Sequence, residues 1–130
     1  MNTEAVAGRC VAITGGARGI GLAIATALHG LGAKVAIGDI DEIAVNEAGS
    51  RLGLKLYRRL DVTDRQSFTD FLDAVDNELG PLDVLVNNAG VIAVGMAVDE
   101  PDEATQRVLD INLRGVILGT KLALERIAKR

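Results

Sequence analysis

The sequence predicts a single α/β domain over residues 1–130, a doubly wound parallel sheet of four strands in the order 3-2-1-4 with helices on both faces. Three observations carry this expectation. Short apolar runs alternate with helix-period segments from one end to the other, so the chain reads βαβαβαβα. Strand–helix units joined by short turns leave little besides parallel pairing through right-handed crossovers. The run DVLV at 83–86 is apolar without alternation, as a parallel strand covered on both faces is. Finally, 130 residues that are 48% apolar and 25% charged are enough to bury a core and too few to call for a second domain.

The elements follow in order. RCVAIT (9–14) is the first strand, and Gly19 to Leu31 the helix after it. KVAIG (34–38) leads to a helix from Asp41 to Leu52, and LKLYRRL (54–60) to one from Asp64 to Leu79. In this third helix Thr63 and Gln66 stand at capping-box spacing, and Phe68, Phe71, Leu72, Val75 and Leu79 form one apolar face. LDVLV (82–86) is the fourth strand, followed by a loop and a helical region from Pro101 onward, in which VLDINLRGVILGTKLALERIAKR reads as one long helix. That helix is apolar nearly all round, through Val108, Ile111, Val116, Ile117, Leu118, Leu122, Leu124 and Ile127. One face is expected on the sheet and another against a second copy of the chain. No further strand follows, so the fourth strand, interior by its pattern, is left as an open edge. The expectation is a Rossmann-type sheet that is incomplete, a domain truncated on its C-terminal side.

Composition excludes several functions. A net charge of −4 lacks the clustered cations of a nucleic-acid surface. Cys10, the single cysteine, lies in the first apolar run, which rules out an intramolecular disulfide and suggests a buried hydrophobe in a reducing compartment. The opening MNTEAVAGRC has no signal-peptide pattern, and no run approaches the roughly 20 apolar residues that span a bilayer. A cytoplasmic protein with no membrane partner is expected. His29, the single histidine, stands before Gly30 at a helix end as a surface or capping residue, and no Cys/His metal cluster is present.

The chemistry begins at TGGARGIG, residues 14–21, between the first strand and the first helix. Its spacing, Gly15-x-x-x-Gly19-x-Gly21, departs from GxGxxG but meets the same physical needs. Gly15 can make the sharp exit from the strand, Gly19 can let the backbone approach a diphosphate, and Gly21 can let the helix pack close to the sheet. The helix N-terminus then offers unpaired N–H groups and a positive dipole end to an anion. A glycine-rich connection without a ligand would look the same. Asp39 adds weight: it closes the second strand eighteen positions after Gly21, near the roughly 20-residue offset at which a carboxylate meets the adenosine ribose. A carboxylate there accepts from both ribose hydroxyls and repels a 2′-phosphate, favouring NAD over NADP. Asp39 could instead be a solvated turn residue or a helix cap. Arg18 pulls the other way, as a cation that could meet a 2′-phosphate, contact the diphosphate or stand in solvent.

With TGGARGIG and Asp39, the pair Asp61-Val62 after the third strand, Asn87-Asn88-Ala89-Gly90 after the fourth and Asn112 in the last helix make the chain resemble the short-chain dehydrogenase/reductase family over essentially its whole length. The resemblance implies that Gly15, Arg18, Gly19, Ile20 and Gly21 belong to the cofactor-binding site. It implies that Asp61 hydrogen-bonds the adenine amino group while Val62 lies beside the ring. Asn88, Ala89 and Gly90 would support the fourth strand near the nicotinamide ribose, and Asn112 would hold a water in a proton relay to a catalytic lysine. Each residue also has a plainer reading: Asp61 and Val62 as a strand-to-helix turn, NNAG as a turn, Asn112 as a buried amide satisfying a carbonyl beside the small residues Gly115 and Gly119.

The family's reaction, hydride transfer between an alcohol or carbonyl compound and nicotinamide, uses a Tyr, a Lys four positions later and a Ser. None can be placed. Tyr57 is the single tyrosine and is followed four positions on by Asp61, no Ser follows Ser67, and Lys121 and Lys129 have no Tyr to pair with. The sequence therefore reads as the NAD-binding part of a short-chain oxidoreductase, inactive alone. The rival reading is a non-catalytic dinucleotide-binding or dimerisation module.

Overall fold

In the computed structural model, which describes residues 3–129, successive residues of the first strand enter two separate cores. This strand, β1 (Cys10–Thr14), sends Cys10 and Ala12 to one face and Val11 and Ile13 to the other, the period of two that a pleated strand imposes. The remaining strands are β2 (Lys34–Asp39), β3 (Leu56–Arg59) and β4 (Val84–Val86), all parallel, in the order β3-β2-β1-β4. Helices α1 (Gly19–Gly30) and α2 (Glu42–Leu52) cover the Val11 face, where Val35, Ile37, Ala25, Val45 and Ala48 are buried. On the other face lie α3 (Arg65–Glu78) and α5 (Gly115–Ile127), through Phe68, Phe71, Leu72, Val75, Leu122 and Ala123. The expected α/β sheet and its strand order are those observed.

Short local devices set the element ends. Asp41 caps α2, accepting from Ala44 N at 3.0 Å, and Gly53 closes it at φ 72, the left-handed region where a Cβ is costly. For α3 the expected Thr63 cap is replaced by Asp64, whose carboxylate accepts from Gln66 N at 3.0 Å. The reason is local competition: the Thr63 hydroxyl donates to Asp61 Oδ1 at 2.6 Å instead. Leu54 begins the expected third strand in sequence, but its N–H bonds Gly49 O at 3.0 Å in the C-cap of α2, so β3 starts at Leu56.

The long last helix is continuous but not uniform. It starts as α4 (Asp102–Leu109), widens to a π turn over Asp110–Arg114 and resumes as α5. Two contacts hold the widened turn. Gly115 sits so close to Val62 that a Cβ would fall 2.9 Å from Val62 Cγ2, and Asn112 is bonded to the backbone of Val91. Farther along, Arg126 ties α5 to α3, with Nη2 2.5 Å from Asp73 Oδ1 and Nε 3.1 Å from Asp76 Oδ2. Leu122 and Ala123 are buried against the sheet side, whereas Leu113, Ile117 and Leu124 of the same helical run are exposed. Cys10 is buried, its thiol donating to Leu79 O at 3.3 Å, and His29 is exposed at the end of α1. Arg130 of the expected helix lies outside the described residues.

Candidate functional site

β1 and β4 run side by side in register, and the chain leaves their C-terminal ends in different directions, into the glycine turn and into Asn87–Gly90. Such a divergence at the carboxyl ends of parallel strands opens a crevice. Thr14 holds its two lips together. Its buried hydroxyl accepts from Asn88 N at 3.0 Å and Ala89 N at 2.9 Å, and the Asn88 side-chain amide donates to Thr14 O and Gly15 O, both at 3.1 Å. NNAG is thus a brace across the sheet, and Thr14, which the sequence reading passed over, is its anchor.

The three glycines of the turn differ in what surrounds them. Gly15 has φ +64, and a Cβ there would lie 2.9 Å from Ala89 Cα, so it both turns the chain and admits the loop that follows β4. A Cβ on Gly21 would stand 2.2 Å from Gly15 O, which explains the close approach of α1 to the strand end. Gly19 has φ +57, and among the described residues nothing beyond its own chain neighbours and helix backbone comes within 4 Å of its Cβ position, so open space lies above the turn there. Beside it Ile20 is exposed, and the first-turn N–H groups of α1 have no partner within the helix, as at any helix start.

Asp39 is buried at the end of β2. One carboxylate oxygen accepts from Ala17 N at 3.2 Å and the other from Asp41 N at 3.1 Å. A carboxylate has about four lone-pair directions, so these two bonds fix the group and leave acceptor capacity toward the cleft. Arg18 is not free in solvent: its guanidinium is paired with Asp41. The carboxyl of Asp41 is held below its ordinary range first by the Ala44 N–H and then by Arg18. After β3, Asp61 Oδ1 accepts from Thr63 N at 2.9 Å in a tight turn and Val62 is buried.

One cleft of about 1020 Å³ collects these groups. Gly15, Arg18, Asp39, Asp61, Val62, Asn88, Ala89 and Gly90 all line it, while Gly19, Ile20 and Gly21 form the adjoining helix start. Asp102, Gln106, Arg107, Asp110 and Ile111 of the α4 region make the opposite wall, which sequence spacing alone did not signal. Asn112 does not line the cleft. Its side chain is exposed, not buried as the plainer reading had it; it accepts from Val91 N at 2.8 Å and donates to Val91 O at 2.7 Å, and so pins the loop after β4 to the π turn. Tyr57 is outside the cleft as well, packed over Gly49 on the α2 side of the sheet.

The residues present fit a dinucleotide. Open space above Gly19 at a helix N-terminus suits a diphosphate, and a fixed carboxylate at the end of the neighbouring strand suits a ribose diol. Among the described residues no group of three or more His, Cys, Asp and Glu side chains could hold a metal ion, and no helix is long and apolar enough to cross a membrane.

Comparison with known proteins agrees with the geometry. A family model described as short chain dehydrogenase matches residues 9–130. The chain is 39% identical over 118 residues to a 3-beta-hydroxysteroid dehydrogenase of Comamonas testosteroni, covering 90% of this chain and 46% of that protein. It is 37% identical over 125 residues to a cyclopentanol dehydrogenase of a Comamonas species, covering 93% and 50%. A short-chain dehydrogenase structure from Novosphingobium aromaticivorans superposes with a TM-score of 0.89 at 32% identity, covering 96% of this chain and 47% of that one. The chain thus spans about half the length of these relatives.

Proposed function

The chain belongs to the short-chain dehydrogenase family, and from that premise we propose that it is the NAD-binding portion of an oxidoreductase that interconverts an alcohol and a carbonyl compound. The observation that supports this reading best is the convergence of the open glycine turn, Asp39 and the Asn88 brace on one cleft. Nicotinamide supplies the hydride chemistry when bound. The chain's own residues then have separate tasks. Gly15, Gly19, Ile20 and Gly21 give the backbone that faces the diphosphate. Asp39 accepts from the ribose hydroxyls, Asp61 and Val62 flank the adenine, and Asn88, Ala89 and Gly90 line the nicotinamide end. Asn112 acts through its hold on Val91, keeping the loop beside that end in place, and any proton-relay water it supports would be held there.

NAD is favoured over NADP on charge. Asp39, Asp41, Asp61, Asp102, Glu103 and Asp110 line the cleft against Arg18 and Arg107, an unfavourable field for an extra phosphate. Tyr57 lies outside the cleft and no Tyr–Lys pair occurs in these 130 residues, so the proton-exchanging group near the substrate oxygen is assigned to chain beyond them. Residues 1–130 alone are then inactive. The same reading includes a cytoplasmic location and association with a second copy through the exposed Leu113, Ile117 and Leu124 of the last helix, which sedimentation would detect.

The deciding experiment is titration of the chain with NAD+ and NADP+, followed by an assay of hydride transfer on 3-hydroxysteroids and cyclopentanol, the compounds for which two relatives are named. Saturable NAD+ binding without turnover is expected. Sustained turnover by residues 1–130 would overturn the division of labour. The rival, a dinucleotide-binding or dimerisation module with no enzymatic role, is favoured if a longer chain carrying a downstream Tyr and Lys is also inactive.

A further inference from the structure

Arg18 and Asp39 make opposite demands on the cofactor, and the structure contains a third charge that decides between them. Arg18 precedes Gly19 at the start of α1, and its guanidinium is paired with Asp41, two residues beyond the end of β2. Asp41 does not depend on that pair for its position. Its other oxygen caps α2 by accepting from Ala44 N at 3.0 Å, and its own N–H donates to Asp39 Oδ1 at 3.1 Å. The three groups therefore form one connected set at the mouth of the cleft, and all three line it. Its formal charge is one negative, because the cation is cancelled by Asp41 and Asp39 remains.

We propose that Asp41 is a second determinant of cofactor choice, a positioning residue that keeps the Arg18 guanidinium engaged and so denies it to a 2′-phosphate. This rests on the dinucleotide reading above. An arginine beside the ribose serves a 2′-phosphate when its forked donors are open to the phosphate oxygens. Here part of that fork is turned to a carboxylate fixed by a helix cap. Neutralising Asp39 alone removes a ribose acceptor but leaves Arg18 occupied. It therefore costs NAD affinity without a matching gain for NADP. Neutralising Asp41 does the opposite, since it frees the cation and removes a repelling charge while the ribose acceptor stays. The Arg18 and Asp41 side chains are 66% and 44% exposed, so solvent screening limits the size of the effect.

The test uses the whole chain and calorimetric titration with NAD+ and NADP+. Asp41→Asn is the informative variant, because asparagine caps a helix about as well as aspartate and removes only the charge. The expected result is a shift of about threefold to fivefold in the ratio of the two dissociation constants toward NADP+. Most of the shift should vanish when Arg18→Ala is added. Loss of the α2 cap by itself would weaken both dinucleotides together and leave their ratio alone. An unchanged ratio in Asp41→Asn, with NAD+ still bound, overturns the proposal. So does a shift that persists in full without Arg18, which would mean that direct repulsion by Asp41 accounts for it. Failure of the folded, unmutated chain to bind either dinucleotide would instead overturn the parent reading, and this proposal with it.

Discussion

β1 and β4 carry the same kind of sequence and pair in register, Val11 opposite Val84 and Ile13 opposite Val86, yet they live in different environments. Every residue of β1 is buried, whereas Val84 is 42% exposed and the rest of β4 is half-buried. Both strands have packed faces, since Leu85 joins the α3 core and Val86 the α1 core. They differ in lateral neighbours: β1 lies between β2 and β4, and among the described residues β4 has β1 alone. An unalternating apolar run reports that both faces of a strand are covered. It is silent on whether the strand's edges are.

The sharpest way to break this comparison is at the closest approach on the β1 side. Gly21→Val would place a Cβ 2.2 Å from Gly15 O, a backbone atom that cannot swing away, and is expected to cost about 3 kcal/mol in denaturant unfolding. Next comes a matched pair. Val11→Ala empties a fully packed site and should cost about 2 kcal/mol. The same change at its register partner, Val84→Ala, should cost only about 0.5 kcal/mol. Equal losses would mean that the open edge of β4 is covered in solution.

Gly19→Val separates fold from ligand. Its Cβ meets nothing, so the stability cost is limited to about 1–2 kcal/mol of left-handed backbone strain at φ +57. Dinucleotide affinity should nevertheless fall by more than tenfold, read by calorimetry, because the side chain would occupy the open space above the turn. The smallest effect concerns Asp41. Its carboxyl is depressed in the native state by Ala44 N–H and Arg18, so its contribution is present above the unfolded carboxylate pKa and is lost as pH falls through the native value. The difference in thermal midpoint between the unmutated chain and Asp41→Asn should be steady near neutrality and close on acidification.

What the sequence made legible was local. The strand and helix periods, the glycine spacing and the offset of Asp39 each lie within a short window, and the sheet order follows from handed crossovers. What it hid depends on groups brought together by folding. Arg18 meets Asp41 across 23 positions, Asn112 meets Val91 across 21, and Thr14 reaches Asn88 across 74. The π turn at Asp110–Arg114 has no propensity signature of its own, since it follows from the packing of Gly115 on Val62 and the clamp of Asn112. Even the α3 cap was misplaced by one residue because Asp61, in the preceding turn, claims the Thr63 hydroxyl.

The central claim is that the cleft at the ends of β1, β2 and β4 is a dinucleotide site with Asp39 as the ribose acceptor. Calorimetric titration of the folded chain with NAD+, repeated on Asp39→Ala, tests it most directly. The expected result is saturable binding at one site per chain, tighter than NADP+, with the preference narrowed in Asp39→Ala through lost NAD+ affinity. Tighter binding of NADP+ by the unmutated chain, or NAD+ affinity unchanged in Asp39→Ala, would contradict it.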